Sequence, residues 1–285
     1  MMKLAFQLSH RMSSAMIEKL GHALLETGIY SAVELEYPFH TVGNSDAKIQ
    51  DYKQAIRTLI NRYAPRVSLH IPTNLDCGAG NAVVRRAVIE EMKKSIAFAA
   101  EFNARVLSVH GATIGNFDYP EFADTPVKEF LQEVYLRKKH SALQATIDML
   151  GETGLYAGQY GCAVALENVL LKQEVIHTPE DLLYVLREVK LDNVGALYDC
   201  GHANRIGYDN AKFIRELGER LIHVHMNDND GTCDLHGQIG TGTVDFRGIF
   251  TELKNLHYAD TVLVEVMAKN AEDLLENARQ LRQYM

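Results

Sequence analysis

The sequence predicts an α/β protein, a single closed (β/α)8 barrel spanning residues 1–285, and three observations carry that prediction. Eight short apolar, β-compatible runs punctuate the chain, and each is followed by a segment of helical periodicity. Strict alternation of this kind builds a parallel sheet covered by helices. Eight such units in 285 residues match the length of a closed barrel. The alternative is a doubly wound open sheet, whose nucleotide-binding versions lack their fingerprint here. No G-x-G-x-x-G follows the first strand, and there is no P-loop.

Lys3–Ser9 reads as the first strand, and Ser13 or Ser14 caps a helix running to about Glu26, ended by Gly28. Ala32–Pro38 is the second strand, stopped by its proline, and Ala47–Tyr63 the second helix. Arg66–Ile71 is the third strand, followed by a long amphipathic helix over Asn81–Asn103. Val106–His110 is the fourth strand. A polar and aromatic insertion, Ala112–Asp124, separates it from a helix capped by Thr125, with Pro126 at its first position, running to about Gly151. Cys162–Val169 is the fifth strand, and Thr178-Pro179 opens a helix to about Val189. Val194–Asp199 is the sixth strand, with a short helix over Lys212–Gly218. Leu221–Met226 with the Phe246–Leu256 helix, then Thr261–Val266 with the Ala271–Tyr284 helix, complete the set.

The composition, 47% hydrophobic and 23% charged, supports a large core rather than disorder. No apolar run approaches the ~20 residues that span a bilayer, so no membrane partner is expected. The first ten residues are too short in their apolar part for a signal peptide. Cys77, Cys162, Cys200 and Cys233 are scattered without a C-x-x-C, which fits reduced thiols, a cytoplasmic location and no role as ligands. A formal net charge of -8 weighs against nucleic acid as a partner.

The most informative stretch is Leu221–Phe246. It opens as a strand that places His223, His225 and Asn227 on one face by alternation. It then enters a Gly-rich loop carrying Asp228, Asp230, Asp234 and His236. Every other unusual polar residue also falls at the C-terminal end of its strand. His70 ends the third strand and His110 the fourth, and Glu167 is late in the fifth. Asp199 ends the sixth, with His202 in the loop beyond, and Glu265 is late in the eighth. In a barrel those ends open on one rim, where such folds keep their chemistry. Acids inside apolar strands such as VALENV and VLVEV cost several kcal/mol unless neutralised. The strands offer few lysines or arginines at matching depth, so a divalent metal is the economical explanation. The candidate ligands are Glu167, Asp199, His225, Glu265, His70, His110, His202, Asp234 and His236.

Together these motifs resemble the superfamily of xylose-isomerase-like TIM barrels, which includes sugar isomerases and epimerases and also endonuclease IV. The resemblance rests on S-L-H at Ser68–His70, S-V-H-G at Ser108–Gly111, L-E-N at Leu166–Asn168 and D-C-G-H at Asp199–His202. It rests equally on H-V-H-M-N-D at His223–Asp228, D-L-H at Asp234–His236, G-T-G at Gly240–Gly242 and V-E-V at Val264–Val266.

In the sugar branch the resemblance implies one metal, Mn2+ or Zn2+, on Glu167, Asp199, His225 and Glu265. Glu167 and Glu265 would move the substrate proton through an enediolate, with His202 assisting catalysis. His202, His70 and His110 would hold substrate hydroxyls or a second metal. In the endonuclease branch it implies three zinc ions on all nine candidates. The endonuclease's Tyr-Leu wedge has no counterpart in Ile71-Pro72-Thr73-Asn74, and the rim loops lack Lys/Arg clusters. Two sugar-gripping positions of some epimerases, an Arg and a second Glu, are Gly231 and Gln173 here. The expectation is therefore a metal-dependent isomerase or epimerase of a small sugar, with a homo-oligomer among the assemblies the resemblance allows. A three-zinc phosphodiesterase acting on abasic DNA is the alternative, and a barrel that binds without turnover comes third. Glu34, Glu36, Phe117 and Tyr119 are further residues that could shape the pocket, the two glutamates equally well lying at the surface or core rim.

Overall fold

Eight parallel strands pair in chain order, and the eighth closes onto the first. This computed structural model describes residues 1–38, 45–115, 128–171 and 173–285. The strands are β1 (Lys3–Leu8), β2 (Ala32–Glu36), β3 (Arg66–His70), β4 (Val106–Val109), β5 (Ala163–Glu167), β6 (Val194–Asp199), β7 (Leu221–Met226) and β8 (Thr261–Val264). The helices outside them are α1 (Ser14–Leu25), α2 (Asp46–Tyr63), α3 (Ala82–Ala100), α4 (Lys128–Gly158), α5 (Pro179–Val189), α6 (Cys200–Arg205), α7 (Asn210–Leu217), α8 (Phe246–Asn255) and α9 (Ala271–Arg282). Among the described residues, no helix is long and apolar enough to cross a membrane.

Local chemistry sets the boundaries. Ser13 caps α1 by accepting from the Met16 N–H, and Thr178 and Asp181 form a reciprocal capping box on α5 with Pro179 at its first position. The outward faces of the strands bury Leu4, Phe6, Leu35, Leu69, Leu107 and Val224 against the helices. Alternation then fixes what faces inward. Inside the barrel, Ala5, Ala32 and Leu263 form one lower cluster and Val106, Ala165 and Leu197 another. Two residues further along the same strands come Gln7, Glu34, Ser108, Glu167, Asp199 and Glu265. Each candidate strand-borne ligand thus shares the parity of a small or apolar interior residue below it.

Several boundaries differ from the sequence reading. β8 ends at Val264, so Glu265 is the first residue beyond the strand, still tied by its N–H to the Met226 carbonyl at 2.9 Å. His110 likewise follows β4 directly. His202 is not in a loop: Asp199 caps α6, an additional short helix, and His202 lies within it. α4 continues to Gly158, because Thr146 and Thr153 satisfy their hydroxyls on the carbonyls one turn back and a helical pattern persists past Gly151. Thr125, Pro126, Phe117 and Tyr119 lie outside the described residues.

The loop after β7 is organised by Asp228, which is 1% exposed. Its carboxylate accepts from the N–H groups of Asn229, Gly240, Gly242 and Val244 at 2.9–3.2 Å. Its backbone pairs with Gly237 in both directions. Gly242 is required by close approach: a Cβ there would lie 2.2 Å from the Asn229 carbonyl oxygen. This loop carries Asp234 and His236 to the rim.

Asp228→Ala strands several buried N–H groups and should cost about 3 kcal/mol or more. Amide exchange should accelerate across residues 229–244 while the barrel strands stay protected. Unchanged protection in that loop would remove Asp228 as its organiser.

Candidate metal and active site

The nine sequence candidates meet at the C-terminal mouth of the barrel. Their donor atoms fall into groups lying within 4.8 Å of one another: His70, His110 and Glu167; Glu167, Asp199 and His202; Asp199, His225 and Glu265; and His202, Asp234 and His236. Glu167, Asp199 and His202 each belong to two of these groups, so the four form one continuous cluster. Glu167 Oε1 lies 3.6 Å and Glu265 Oε2 3.0 Å from the same atom, His225 Nδ1.

Each histidine of the cluster has one ring nitrogen turned to a carbonyl or carboxylate behind it and the other aimed at the acids of the cluster. His70 Nδ1 donates to the Ile71 carbonyl at 2.7 Å, and its Nε2 stands 3.4 Å from Glu167 Oε2. His110 Nδ1 faces Glu174 at 3.3 Å, and its Nε2 is 3.3 Å from Glu167 Oε2. His202 Nδ1 donates to the Asn168 carbonyl at 2.8 Å, leaving Nε2 3.7 Å from Asp234. His236 Nδ1 donates to the Glu265 carbonyl at 3.1 Å, leaving Nε2 3.3 Å from Asp234. His225 is reversed: Nε2 points down to Glu34 at 3.3 Å, and Nδ1 points to the mouth. Pinning one imidazole nitrogen so that the other presents a lone pair is how proteins orient metal-binding histidines.

Polar residues behind the acids hold them in turn. Asn227 donates to Asp199 Oδ2 at 2.9 Å, and the Asn168 amide bonds both the N–H and the carbonyl of Asp199. Glu34 is fully buried inside the barrel, neither at the surface nor at the core rim. Its Oε2 accepts from Ser68 at 2.7 Å and from His223 Nε2 at 2.8 Å, with the Ser108 hydroxyl at 3.4 Å. Glu36 sits higher, half-buried, accepting from the Ser9 hydroxyl at 2.5 Å with His10 Nδ1 at 3.2 Å. Sequence reasoning named Glu34 only as a residue that could shape the pocket, placed His223 and Asn227 on the face of His225 without a role, and gave Glu174 and Asn168 none. The signal for Glu34 was available: an acid inside AVELE is as anomalous as one inside VALENV. Gln173 is exposed and Gly231 adopts a positive φ of 81°, so neither supplies a gripping group.

Electrostatics follow from crowding. Burial pushes the Glu167 carboxyl up, but His225, His110 and His70 outweigh it and hold it well below the usual range. Glu34 is held down the same way by His225 and His223, and Glu265 by His225 and His236. Asp199 goes up, because burial and the charges of Glu265 and Glu167 exceed the help from His202. Burial disfavours charge on the imidazoles, yet neighbouring acids lift His202 and His225 well above their usual value and bring His110 and His236 to about 9. Protons thus fill the role of cations in this constellation.

The donor set fits a divalent cation. Glu167 Oε2 and His225 Nδ1 are buried with charged neighbours but without an aligned hydrogen bond among the described residues. Carboxylate and imidazole donors with no thiolate suit manganese or zinc rather than softer ions. The four cysteines are free, and none joins a donor group among the described residues.

Comparison with known proteins places this geometry in context. The family described as xylose isomerase-like TIM barrels matches residues 22–284. An uncharacterized protein of Methanocaldococcus jannaschii is 30% identical over 80% of this chain and 72% of its own length. The inosose isomerase of Bacillus subtilis is 25% identical over 50% of this chain and 55% of its own. Among solved structures, a D-tagatose 3-epimerase-like protein superposes with a TM-score of 0.75 at 27% identity, covering 99% of this chain and 97% of the other. The IOLI protein with a bound zinc atom superposes at 0.73 and 19% identity, covering 100% and 99%.

Two outcomes are expected. Glu34→Ala leaves the His223 imidazole and the Ser68 hydroxyl buried without their acceptor, and His225 without its charged neighbour, and should lower stability by about 3–5 kcal/mol; a loss below 1 kcal/mol in denaturant titration contradicts an ionised Glu34. In metal-free protein, His110 and His236 titrate near 9 when folded against 6.5 for the unconstrained side chain. Their stabilisation is complete below about pH 6.5 and lost as pH rises to about 9. The melting temperature of metal-free protein should fall across that window, whereas manganese or zinc, which needs neutral imidazoles, should bind more tightly and abolish the fall. Parallel curves with and without metal would contradict this.

Proposed function

Because the chain belongs to the xylose isomerase-like TIM-barrel family, we propose that it is a divalent-metal-dependent isomerase or epimerase of a small sugar or sugar derivative. The observation that carries this reading is the convergence of Glu167 and Glu265 on His225 Nδ1, beside Asp199. Glu167, Asp199, His225 and Glu265 are the residues that would hold the principal ion. A sugar epimerase-like structure and an inosose isomerase among the similar proteins support the substrate class, and the zinc of the IOLI protein supports the metal.

Bound there, the cation supplies Lewis-acid polarisation of a carbonyl and an adjacent hydroxyl. One of the two glutamates removes the proton from the carbon beside the substrate carbonyl, and the pair of electrons left behind moves into an enediolate. The other glutamate returns a proton to the opposite face, which inverts that carbon. Return to the former carbonyl carbon gives isomerisation instead. His70 and His110 present Nε2 beside Glu167, and His202 and His236 present theirs beside Asp234, where each accepts a hydrogen bond from a substrate hydroxyl. Free, reduced cysteines are consistent with a cytoplasmic enzyme.

A second reading is kept by one observation: His70 with His110, and His202 with Asp234 and His236, form two further complete donor groups. With all three groups loaded, the site is that of a three-zinc phosphodiesterase.

Metal-loaded protein incubated with a ketose panel in deuterium oxide should place deuterium in recovered sugar. Glu167→Gln and Glu265→Gln should each lower turnover by about 10²- to 10⁴-fold. Absence of exchange across the panel, together with cleavage of an abasic-site oligonucleotide and about three zinc per chain, overturns the sugar reading in favour of the phosphodiesterase.

A further inference from the structure

The cavity at the mouth extends past the metal-binding groups. It encloses about 510 Å³ over the ends of β1, β2 and β3. Glu265, His70 and His236 of the donor groups line it, and so do His10 and Glu36, which belong to none of those groups. Sites of roughly 300–1,000 Å³ hold whole drug-sized ligands. An occupant whose reacting carbons sit at Glu265 therefore has the rest of its length against other walls of the same space.

The turn after β1 is built to hold His10 at that wall. Strand register sets Gln7 opposite Glu34 and Leu8 opposite Leu35, so Ser9 follows opposite Glu36. The Ser9 hydroxyl donates to Glu36 Oε2 at 2.5 Å, and His10 Nδ1 lies 3.2 Å from the same oxygen. Ser9 also closes the turn: its hydroxyl accepts from the Arg11 N–H at 3.2 Å, and its carbonyl accepts from the Met12 N–H at 3.1 Å. Tyr52, buried on α2, sets its hydroxyl against the Leu8 and Glu36 carbonyls at 2.9 and 3.0 Å, which fastens the two strand ends together.

His10 is thus pinned as the cluster histidines are, but its second nitrogen meets no acid. Among the described residues, Glu36 alone pairs with its ring, through Nδ1. Nδ1 is buried against that carboxylate, while the side chain keeps 15% of its surface open. A carboxylate can only accept, so Nδ1 carries the ring proton and Nε2 carries a lone pair. That lone pair is the one polar atom of this cavity-lining ring left for an occupant, and its complement is a hydroxyl.

We infer that His10, positioned by Glu36, is a specificity-determining residue that accepts a hydrogen bond from a hydroxyl at the end of the sugar remote from the metal. The substrate class is then a sugar with a free hydroxyl at its far end, rather than one that is deoxygenated or blocked there. This role rests on the sugar reading of the acids, because it takes the reacting carbons to sit at Glu265.

The test uses the zinc-loaded full chain with nitrogen-15-labelled histidine. With no sugar present, the His10 ring should show a protonated Nδ1 and an unprotonated Nε2, the reverse of the tautomer that an unconstrained histidine prefers. Glu36→Ala should return it to the ordinary tautomer. The probes are D-fructose, D-psicose, D-tagatose and L-sorbose, each with its 5-deoxy and 6-deoxy analogues. At least one parent ketose should move the His10 Nε2 resonance and bind roughly tenfold more tightly than one of its deoxy analogues in calorimetry. His10→Ala should reduce that ratio to about unity, and His10→Gln, whose amide oxygen can accept in the same place, should restore part of it. An Nε2-protonated His10 in the wild-type protein, or a ratio that survives His10→Ala, overturns the role. Deuterium exchange from solvent into the parent ketoses, measured on the same preparation, reads the sugar chemistry separately. Exchange with no preference that depends on His10 removes the hydroxyl contact and leaves the chemistry. A preference that depends on His10 without exchange supports the contact and removes the chemistry, and binding by none of the ketoses removes both.

Discussion

A single buried carboxylate supports everything above it. Glu34 lies inside the barrel at 0% exposure, and it is tolerable there only as the acceptor for the His223 imidazole and the Ser68 hydroxyl, with the His225 imidazole as a charged neighbour at 3.3 Å. Without those donors its desolvation would favour expelling or protonating it; with them it becomes the fixed point from which His225 is aimed. Because His225 Nε2 is committed downward, Nδ1 faces the mouth, and Glu167 and Glu265 gather around that atom. The chemistry at the rim is built on a polar layer that the barrel interior would otherwise reject.

The same logic repeats outward with weaker desolvation. Asn168 and Asn227 hold Asp199 through backbone and side-chain bonds, so the residue that caps α6 is also the one shared between two donor groups. Asp228 does for the loop after β7 what Glu34 does for the interior, gathering four N–H groups onto one carboxylate. The aspartate that looks most like a ligand by its position next to the strand is thus consumed by structure. Asp234 and His236, placed by the loop that Asp228 folds, are the ones left facing the cluster.

Much of this was legible in the sequence because a barrel imposes two simple rules. Strand alternation fixes the face, and the C-terminal strand ends fix the rim. Glu167, Asp199 and His225 could be placed from those rules alone. Glu34 obeys the first rule and breaks the second: it sits below the rim, so a search confined to strand ends left its position open. His202 was placed in a loop because six residues ending in Arg205 carry too little periodicity to announce a helix; its cap, Asp199, was visible only as a ligand. Glu174 and Asn168 act across long sequence separations, on His110 and on Asp199 and His202, and no local pattern encodes a partner on another strand.

The sharing of acids bears on how the cluster divides its labour. Glu167 serves both the His70–His110 group and the Asp199–His202 group, and Asp199 serves both that group and the one with His225 and Glu265. A cation seated at Asp199, His225 and Glu265 draws on negative charge that its neighbours also need, so filling one group weakens the next unless an anionic ligand bridges them. A phosphate diester supplies such a bridge; a neutral sugar does not. On the sugar reading proposed above, the outer histidines would stay unmetallated and face the substrate with pinned tautomers, Nδ1 tied back and Nε2 presented. That arrangement offers a set of directional hydrogen bonds to vicinal hydroxyls. On that reading it would compensate for what Gly231 and Gln173 do not provide, with orientation coming from a ring of imidazoles rather than from a charged side chain reaching in from a loop.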